Sequence, residues 1–319
     1  MFCERMAYTA VPATRATITR YAAFLARSLK FNSIKQYINI VRIMHLEWDL
    51  PNPLQDNLFI SGVLCGIRRS IGDIVHSKLP ITPRILLTIL ARLNLSTPFD
   101  ANFWSICLIM FYGLLRKASV LPSVINSDMD KTMCRDDITF HPWGILLHVR
   151  TTKTIQYQER TLDIPIPRYK KSPLCPVQAT FHAFSCVSKP QGRTPAFMIP
   201  GPSGLVPITG PMFVRRLNQC LHESSLPCKS YSGHSLRRGG ATWMYQAGVP
   251  TETIRALGDW RSSAYLKYIT VAPERIYNGI QAMQEYIYKW KTTTTTLTTC
   301  GYWTRTFTCI ISNIILYVY

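Results

Sequence analysis

Acidic residues are scarce in this sequence, and their scarcity accounts for its charge. The 319 residues include 17 Asp and Glu against 36 Lys and Arg, which leaves a formal net charge of +19. Charged residues make up 17% of the chain, below the roughly 25% that is usual in soluble proteins. The protein is therefore basic because it lacks acids. This balance favours a polyanionic partner, either nucleic acid or an anionic membrane.

The sequence also lacks the patterns of a zinc site, a disulfide framework, a secretory signal and a membrane span. Its 10 cysteines are scattered singly, without a C-x-x-C pair or a Cys/His cluster, which indicates a reducing compartment inside the cell. The N-terminus carries Glu4 and Arg5 and has no apolar signal core. The longest apolar run, Phe103 to Leu115, is shorter than the ~20 residues that cross a bilayer. It predicts a buried helix, so we expect nucleic acid as the partner and no membrane.

Hydrophobic residues are plentiful, at 47%, and exclude intrinsic disorder for most of the chain. Residues 15–75 predict a helical bundle. The residues expected on one face of its main helix are Ile34, Tyr37, Ile38, Val41, Met44 and Trp48. A second helix is expected over Gln55–Arg69. We therefore divide the chain into a helical domain (1–76), a linker (77–82), a larger domain (83–291) and a tail (292–319). The tail holds a threonine run and one charge, and we expect it to lie outside the fold.

The larger domain predicts helices around a few short strands. Thr82 and Pro83 are typical of a helix start, and Ala101–Arg116 predicts a helix that is apolar all round. Strands are expected at 138–140, 145–149 and 161–164, and a Pro/Gly-rich loop at Pro190–Pro211. Further helices are expected at Val177–Val187, Met212–Glu223, Ser235–Ala247, Thr251–Leu257, Ala264–Ile269 and Pro273–Lys291. The expected fold is mainly α with a small antiparallel sheet: a helical domain followed by a mixed α/β domain.

The densest chemical signal is the segment Ser232–Thr242, which reads SGHSLRRGGAT. His234 and Arg237 stand three residues apart in the first turn of a predicted helix, so both side chains share one face. Exposed N–H groups and the positive end of the helix dipole lie beside them, and such a place binds a phosphate. A basic helix start on a solvated surface has the same sequence pattern, and this segment by itself does not separate the two interpretations.

Three further motifs accompany it in order along the chain. They are Tyr112-Gly-Leu-Leu-Arg116, Thr151-Thr-Lys-Thr154 at a hairpin, and Ala256-Leu-Gly-Asp-Trp-Arg-Ser-Ser-Ala-Tyr-Leu-Lys-Tyr-Ile269. Together the four motifs resemble the tyrosine recombinase (phage integrase) family. The amino-acid sequences of these motifs are similar above all to those in recombinases of eukaryotic mobile elements of the Crypton and DIRS-like kind. The resemblance covers about Arg15 to Lys291 and is strongest from Tyr112 to Ile269.

The resemblance implies an active site and a role for each residue in it. The six residues it places there are Arg116, Lys153, His234, Arg237, Trp260 and Tyr268. The arginines would bind the oxygens of the scissile phosphate, Tyr268 would attack phosphorus, and Lys153 would protonate the leaving oxygen. His234 would assist proton transfer, and Trp260 would pack against the site and offer its N–H.

Alternatives remain open for individual residues. Arg116 also fits the end of a buried helix, Lys153 an ordinary hairpin lysine, and Trp260 a core residue. Tyr265 competes with Tyr268 as the nucleophile, and the Tyr-Ile ending favours Tyr268. Ser119 stands where many relatives have glutamate, Asp259 where histidine is common, and the Trp260–Tyr268 gap is one residue shorter than in the common bacterial pattern.

The resemblance also implies the function. It predicts a site-specific recombinase or integrase of a mobile element that cuts and rejoins double-stranded DNA through a 3′-phosphotyrosyl link, as a homotetramer. The link conserves the energy of the ester, so no metal, ATP or other cofactor is expected. A SAM-like core-binding domain (1–76) and the catalytic domain (83–291) would clamp the duplex, in the nucleus. The DNA-contacting residues we expect are Arg68, Arg69, Lys117, Arg215, Arg216 and Arg238.

Two other functions share these motifs. A decayed or domesticated recombinase would hold DNA without cutting it, and a type IB topoisomerase-like enzyme would use the same chemistry. The six filled catalytic positions favour the active recombinase, and the compact N-terminal domain fits the topoisomerase less well.

Overall fold

The computed structural model describes residues 2–55, 57–72, 78–125, 131–152, 154–155, 159–271 and 276–287. Contacts divide the chain into two compact units, Met1–Ser77 and Lys78–Tyr319. The predicted tail (292–319) lies outside the described residues. Within the described ranges, no helix has both the length and the apolar character needed to cross a membrane.

The described elements of the first unit are all helices: α1 (Phe2–Met6), α2 (Arg15–Leu25), α3 (Phe31–Glu47) and α4 (Asn57–Ile71). Thr14 caps α2, since its hydroxyl accepts from the Thr17 N–H at 3.1 Å. The core of this unit consists of the side chains of Ile18, Ala22, Leu25, Ile34, Ile38 and Ile60. α4 begins and ends two residues later than the predicted helix Gln55–Arg69.

The predicted apolar face of α3 is narrower than expected. Ile34 and Ile38 are buried, but Tyr37 and Trp48 are exposed. His45 is buried instead, at 1% exposure. Its Nε2 accepts from the Ala13 N–H at 2.8 Å, and its Nδ1 donates to the Val41 carbonyl at 2.7 Å. A histidine with both ring nitrogens paired can be buried in place of an apolar residue.

The second unit begins before the position that the sequence predicted. The predicted linker was 77–82, but the Leu79 N–H donates to the Ser230 carbonyl at 2.8 Å and the Ile81 N–H donates to the Ser235 carbonyl at 2.9 Å. Ile81 is fully buried in the larger core. Residues 78–82 are therefore part of the second unit, because the N–H groups of Leu79 and Ile81 are bonded there and the Ile81 side chain is buried in its core.

The helices of the second unit follow their sequence signals closely. They are α5 (Pro83–Leu90), α6 (Pro98–Tyr112), α7 (Lys117–Val120), α8 (Pro176–Ser185), α9 (Gly210–Glu223), α10 (Gly233–Gln246), α11 (Thr251–Leu257) and α12 (276–287). Thr82, Thr97 and Thr209 cap α5, α6 and α9 with their hydroxyls. The predicted helix Ala264–Ile269 is a 3₁₀ turn over Ser263–Lys267.

Helix α6 is the centre of the larger core and is buried from Asp100 to Phe111. The predicted helix continued to Arg116, which is wrong. α6 ends at Tyr112, because Gly113 caps it and Leu114 adopts a left-handed backbone with φ +48°. Arg116 therefore lies after the helix, at the N-cap of α7.

Two small antiparallel sheets complete the unit. β1 (Ile138–His141), β2 (Gly144–Val149) and β3 (Leu162–Pro167) form a sheet with β2 in the middle, which confirms the predicted strands. Ile138, Leu147 and Ile164 lie opposite one another on its buried face. A second hairpin, β4 (Met198–Gly201) and β5 (Gly204–Pro207), lies within the predicted loop Pro190–Pro211. The prediction missed it because each strand has only four residues and four of the eight are Gly or Pro. The fold is mainly helical with small antiparallel sheets, as the sequence predicts.

Candidate active site

Arg237 is the centre of the candidate site and is only 2% exposed. Its place follows from helix α10, which starts at a capping box in which the Ser232 N–H donates to the Ser235 hydroxyl at 3.0 Å. Arg237 then falls on the face that packs toward α6. Its two terminal nitrogens donate to the Leu114 carbonyl and, at 2.5 Å, to the Gly258 carbonyl. These bonds tie α10 to the end of α6 and to the end of α11.

Trp260 covers the guanidinium of Arg237. Its ring centroid lies 4.0 Å from the Arg237 Cζ, a cation–π contact worth about 2 kcal/mol when it is shielded from water. Trp260 is buried at 6% exposure. The ring folds back over Gly258, where a Cβ atom would stand 1.8 Å from the Trp260 Cζ3. Only glycine at position 258 leaves room for the tryptophan in this position.

Tyr268 packs next to Trp260 and also lies beside this cation. Its ring centroid is 5.3 Å from the Arg237 Cζ and 5.1 Å from the Trp260 ring. The Thr242 hydroxyl of α10 fixes this segment, since it donates to the Tyr268 carbonyl at 3.1 Å and accepts from the Thr270 N–H at 3.2 Å. Tyr268 is half-buried and thus packed but reachable.

Tyr265, the other tyrosine of the motif, is also half-buried and contacts Trp260 at 6.4 Å between ring centroids. It makes no cation–π contact with Arg237 among the described residues, whereas Tyr268 does. The geometry therefore places Tyr268, rather than Tyr265, beside the buried cation.

Two further cations, Arg116 and Lys117, and the imidazole of His234 lie close to this cluster. Partial burial and then the charges of Arg237, Arg116 and Lys117 lower the pKa of His234 below its ordinary value. Burial and then the charge of Arg116 also lower the pKa of Arg237. Each shift shows that positive charge accumulates here. A bound anion would relieve this repulsion.

Two buried donors in the cluster have no hydrogen-bond partner within the described part of the chain. They are Arg237 Nε and Trp260 Nε1. An unpaired buried donor costs about 1–3 kcal/mol. Oxygens of a phosphate would satisfy such donors, so the cluster has both the charge and the spare N–H groups of an anion site. Among the described residues, no group of three or more His, Cys, Asp or Glu side chains is arranged to hold a metal.

Five of the six predicted catalytic residues lie together. Trp260 and Tyr268 pack against Arg237, and the charges of Arg237 and Arg116 act on His234. Lys153 lies outside the described residues. Asp259, noted in the sequence only as a departure from histidine, is 7% exposed and accepts hydrogen bonds from Thr152, Thr154 and Arg160. No local signal in the sequence indicates these contacts, because Asp259 is about 100 residues from its partners.

The six predicted DNA-contacting residues are in different environments. Arg68, Arg69 and Arg215 are exposed, and Lys117 lies beside the site. Arg216 is used inside the protein instead. Its Nε and one terminal nitrogen each donate to the carboxylate of Asp100 at 2.8 Å. Arg238 is partly buried and donates to the Lys78 carbonyl at 3.2 Å.

Comparisons with known proteins agree with this geometry. No protein-family model matches the sequence. An integrase/recombinase xerD homolog from Selenomonas ruminantium is 23% identical over 267 residues, which cover 79% of this chain and 72% of that protein. Over most of its length, the chain is thus similar to a protein described as an integrase/recombinase.

Solved structures share the fold. The Tn1549 transposon integrase with transposon right end DNA is 14% identical, with a TM-score of 0.57 over 86% of this chain and 87% of that one. The same integrase with circular intermediate DNA is 14% identical, with a TM-score of 0.55 over 85% and 86% of the two chains. XerH site-specific recombinase in a post-cleavage complex with a difH substrate is 11% identical, with a TM-score of 0.53 over 85% and 70%. The chain thus shares the fold of these integrase and recombinase structures.

Proposed function

We propose that this protein is a tyrosine recombinase that cuts and rejoins duplex DNA through a 3′-phosphotyrosyl intermediate. One observation carries the proposal: the ring of Tyr268 lies 5.3 Å from a buried guanidinium that also stacks on Trp260. A phenol beside a desolvated cation with a free N–H is arranged to attack a phosphodiester. The DNA complexes of the neighbouring folds support DNA as the substrate.

The proposed step forms one bond and breaks one. The phenolic oxygen of Tyr268 attacks phosphorus, the bond to the 5′-oxygen breaks, and the 3′-phosphate stays attached to the tyrosine. Religation is the reverse reaction with a new 5′-hydroxyl. The covalent link keeps the energy of the ester, so the cycle requires no nucleotide.

The residues around Tyr268 stabilise the charge that builds on phosphorus. Arg237 and Arg116 supply N–H donors and positive charge to the non-bridging oxygens, and Trp260 Nε1 supplies another donor. The guanidinium of Arg237 is fixed before the substrate arrives, since it is bonded to two carbonyls and covered by Trp260.

Proton transfer requires one group that accepts and one that donates. The lowered pKa of His234 keeps the imidazole neutral at pH 7, so it is able to take the tyrosine proton. The proton for the leaving 5′-oxygen is assigned to Lys153, a role that rests on the sequence motif alone.

The biological setting is a further part of the proposal. A transposon integrase among the structural neighbours supports integration of a mobile element. Assembly as a homotetramer on DNA stays a prediction from the sequence resemblance. The link to Crypton and DIRS-like elements and the nuclear location stay predictions from the sequence.

A trapping experiment tests the function. The protein is incubated with suicide duplexes that carry a nick close to the cleavage site. After cleavage, the short fragment that carries the new 5′-hydroxyl dissociates, so religation stops. We expect a protein–DNA adduct that survives denaturation and forms equally well in EDTA. DNA binding without an adduct would identify a decayed recombinase, and an adduct only with Mg²⁺ would contradict the mechanism.

A further inference from the structure

Asp259 is a buried carboxylate that joins two distant parts of the second unit. It follows helix α11, and Gly258 and Trp260 on either side of it contact Arg237. The side chain of Asp259 is turned toward the connection between strands β2 and β3. The Thr152 hydroxyl donates to it at 2.6 Å, and the Thr154 hydroxyl donates to the same oxygen. Arg160, on the far side of that connection, donates to the other oxygen.

The backbone at this position favours aspartate. Asp259 has a left-handed conformation with φ +51°, which Asp and Asn tolerate better than other residues with a side chain. Burial by itself raises the pKa of the carboxyl, but the hydrogen bonds from Thr152, Thr154 and Arg160 outweigh it and lower the pKa overall. Asp259 is therefore ionised at neutral pH and accepts all three donors.

The turn that Asp259 holds is itself ordered. The Thr152 hydroxyl accepts from the backbone N–H groups of Thr154 and Ile155, each at 3.1 Å, and Ile155 is fully buried. Arg261 makes a second tie, because it donates to the Thr154 carbonyl at 2.7 Å. Residues 259 and 261 therefore attach the β2–β3 connection directly to the segment that carries Trp260.

We propose that Asp259 is a positioning residue for the leaving-group proton: it anchors Thr152 and Thr154, the two neighbours of Lys153 in the chain, to the turn that carries Trp260. This inference rests on the proposed function. A flexible connection would have to find its place at every turnover, and a misplacement of about 1 Å at a reacting group costs roughly 100-fold in rate.

The test changes the leaving group instead of the protein alone. In a 5′-bridging phosphorothiolate duplex, sulfur replaces the oxygen that leaves, and a thiol with a pKa of about 8.5 departs as the thiolate without a proton. We expect Asp259→Asn, which keeps the shape and tolerates the left-handed backbone, to cleave the oxygen substrate roughly 100-fold more slowly. On the sulfur substrate its rate should return to within a few fold of the unmodified protein, as should that of Lys153→Ala.

Two further variants keep the test decisive. Thr154→Val removes one donor to the anchor while Asp259 and Arg160 remain, so it should show a smaller defect with the same rescue by sulfur. Asp163→Asn is the matched control, because this exposed carboxylate pairs with His148 across strands β2 and β3. The variant should cleave both substrates at the normal rate.

Each outcome bears on one claim. A defect of Asp259→Asn that persists on sulfur would overturn the inference, because it would act through Arg237, Trp260 or folding. Normal cleavage of the oxygen substrate by Asp259→Asn would overturn it as well. If the unmodified protein forms no adduct on either substrate, the proposed function falls and the inference falls with it.

Discussion

At the scale of single residues, the site combines a stability cost with a chemical use. Arg237 Nε and Trp260 Nε1 are buried without partners in the described residues, although each such donor costs about 1–3 kcal/mol. The two other nitrogens of Arg237 are bonded to carbonyls. The protein thus fixes the guanidinium firmly and leaves its buried Nε–H without a partner in the described residues.

The protonation of His234 gives the first prediction. Its pKa is lowered, so in the free protein its titration should have a midpoint below 6.5. Bound duplex should raise the midpoint, because the phosphate offsets the charges of Arg237, Arg116 and Lys117. NMR of the imidazole, assigned with His234→Gln, measures both values. A midpoint at or above 6.5 in the free protein would refute the electrostatic account of the site.

The same shift has a consequence for stability. Below pH 6.5 the unfolded chain takes the proton before the folded one does. This residue therefore lowers the free energy of unfolding as the pH falls from about 6.5 to its folded pKa, and it contributes nothing above that window.

The sequence predicted the composition of the site better than its connections. Arg237, Trp260 and Tyr268 were predicted together because their motifs resemble those of a known family, and the structure brings them into contact. The roles of Asp259 and Arg216 were missed, because their partners are about 100 residues away in the chain. Arg215 and Arg216 are adjacent arginines, and only the packing of α9 distinguishes them.

At the scale of elements, Arg216 joins α9 to the first turn of α6. Its partner Asp100 is buried, so Arg216→Ala leaves a carboxylate without its cation. We expect a loss of roughly 3 kcal/mol in the free energy of unfolding. Arg215→Ala is the matched control on the same helix: its side chain is exposed, so it should unfold normally and bind DNA more weakly. Equal stability of the two variants in denaturant melts would argue against the pairing.

The contact between α10 and α6 depends on a glycine. A Cβ atom at Gly240 would stand 1.9 Å from the Phe111 carbonyl oxygen, so Gly240→Ala must push the helices apart. Overpacking of this kind costs about 1–3 kcal/mol. At Gly62, in the middle of α4, an added Cβ atom would have no neighbouring atom within 4 Å. Gly62→Ala should raise stability by about 0.5–1 kcal/mol. Thermal melts of both variants measure the contrast, and a tolerated Gly240→Ala would contradict this packing.

Element boundaries were predictable where caps and strand patterns were strong, as in α5 and the β1–β3 sheet. The predicted boundaries were wrong where the packing of the whole unit, rather than a local sequence signal, decides where the chain turns. Helix α6 ends at Tyr112 although apolar residues continue to Leu115, because Gly113 and the left-handed Leu114 redirect the chain. The short β4–β5 hairpin has too few residues for a period-two pattern to be visible.

At the scale of the whole molecule, the net charge of +19 predicts binding dominated by phosphate contacts. The logarithm of the binding constant should fall linearly with the logarithm of salt concentration, by roughly 0.9 per phosphate neutralised. If both units contact DNA, a fragment that starts at Lys78 should bind more weakly and with a shallower slope. Starting there keeps the bonds of Leu79 and Ile81. Anisotropy titrations measure both slopes, and equal slopes would mean that the first unit does not contact DNA.

The central claim is that Tyr268 becomes covalently attached to DNA. The most direct measurement is the yield of denaturation-resistant adduct on suicide duplexes for Tyr268→Phe and Tyr265→Phe, with the attached peptide identified by mass spectrometry. The account predicts that Tyr268→Phe binds DNA but forms no adduct, that Tyr265→Phe still forms one, and that the attached peptide contains Tyr268. An adduct that persists in Tyr268→Phe and disappears in Tyr265→Phe would contradict it.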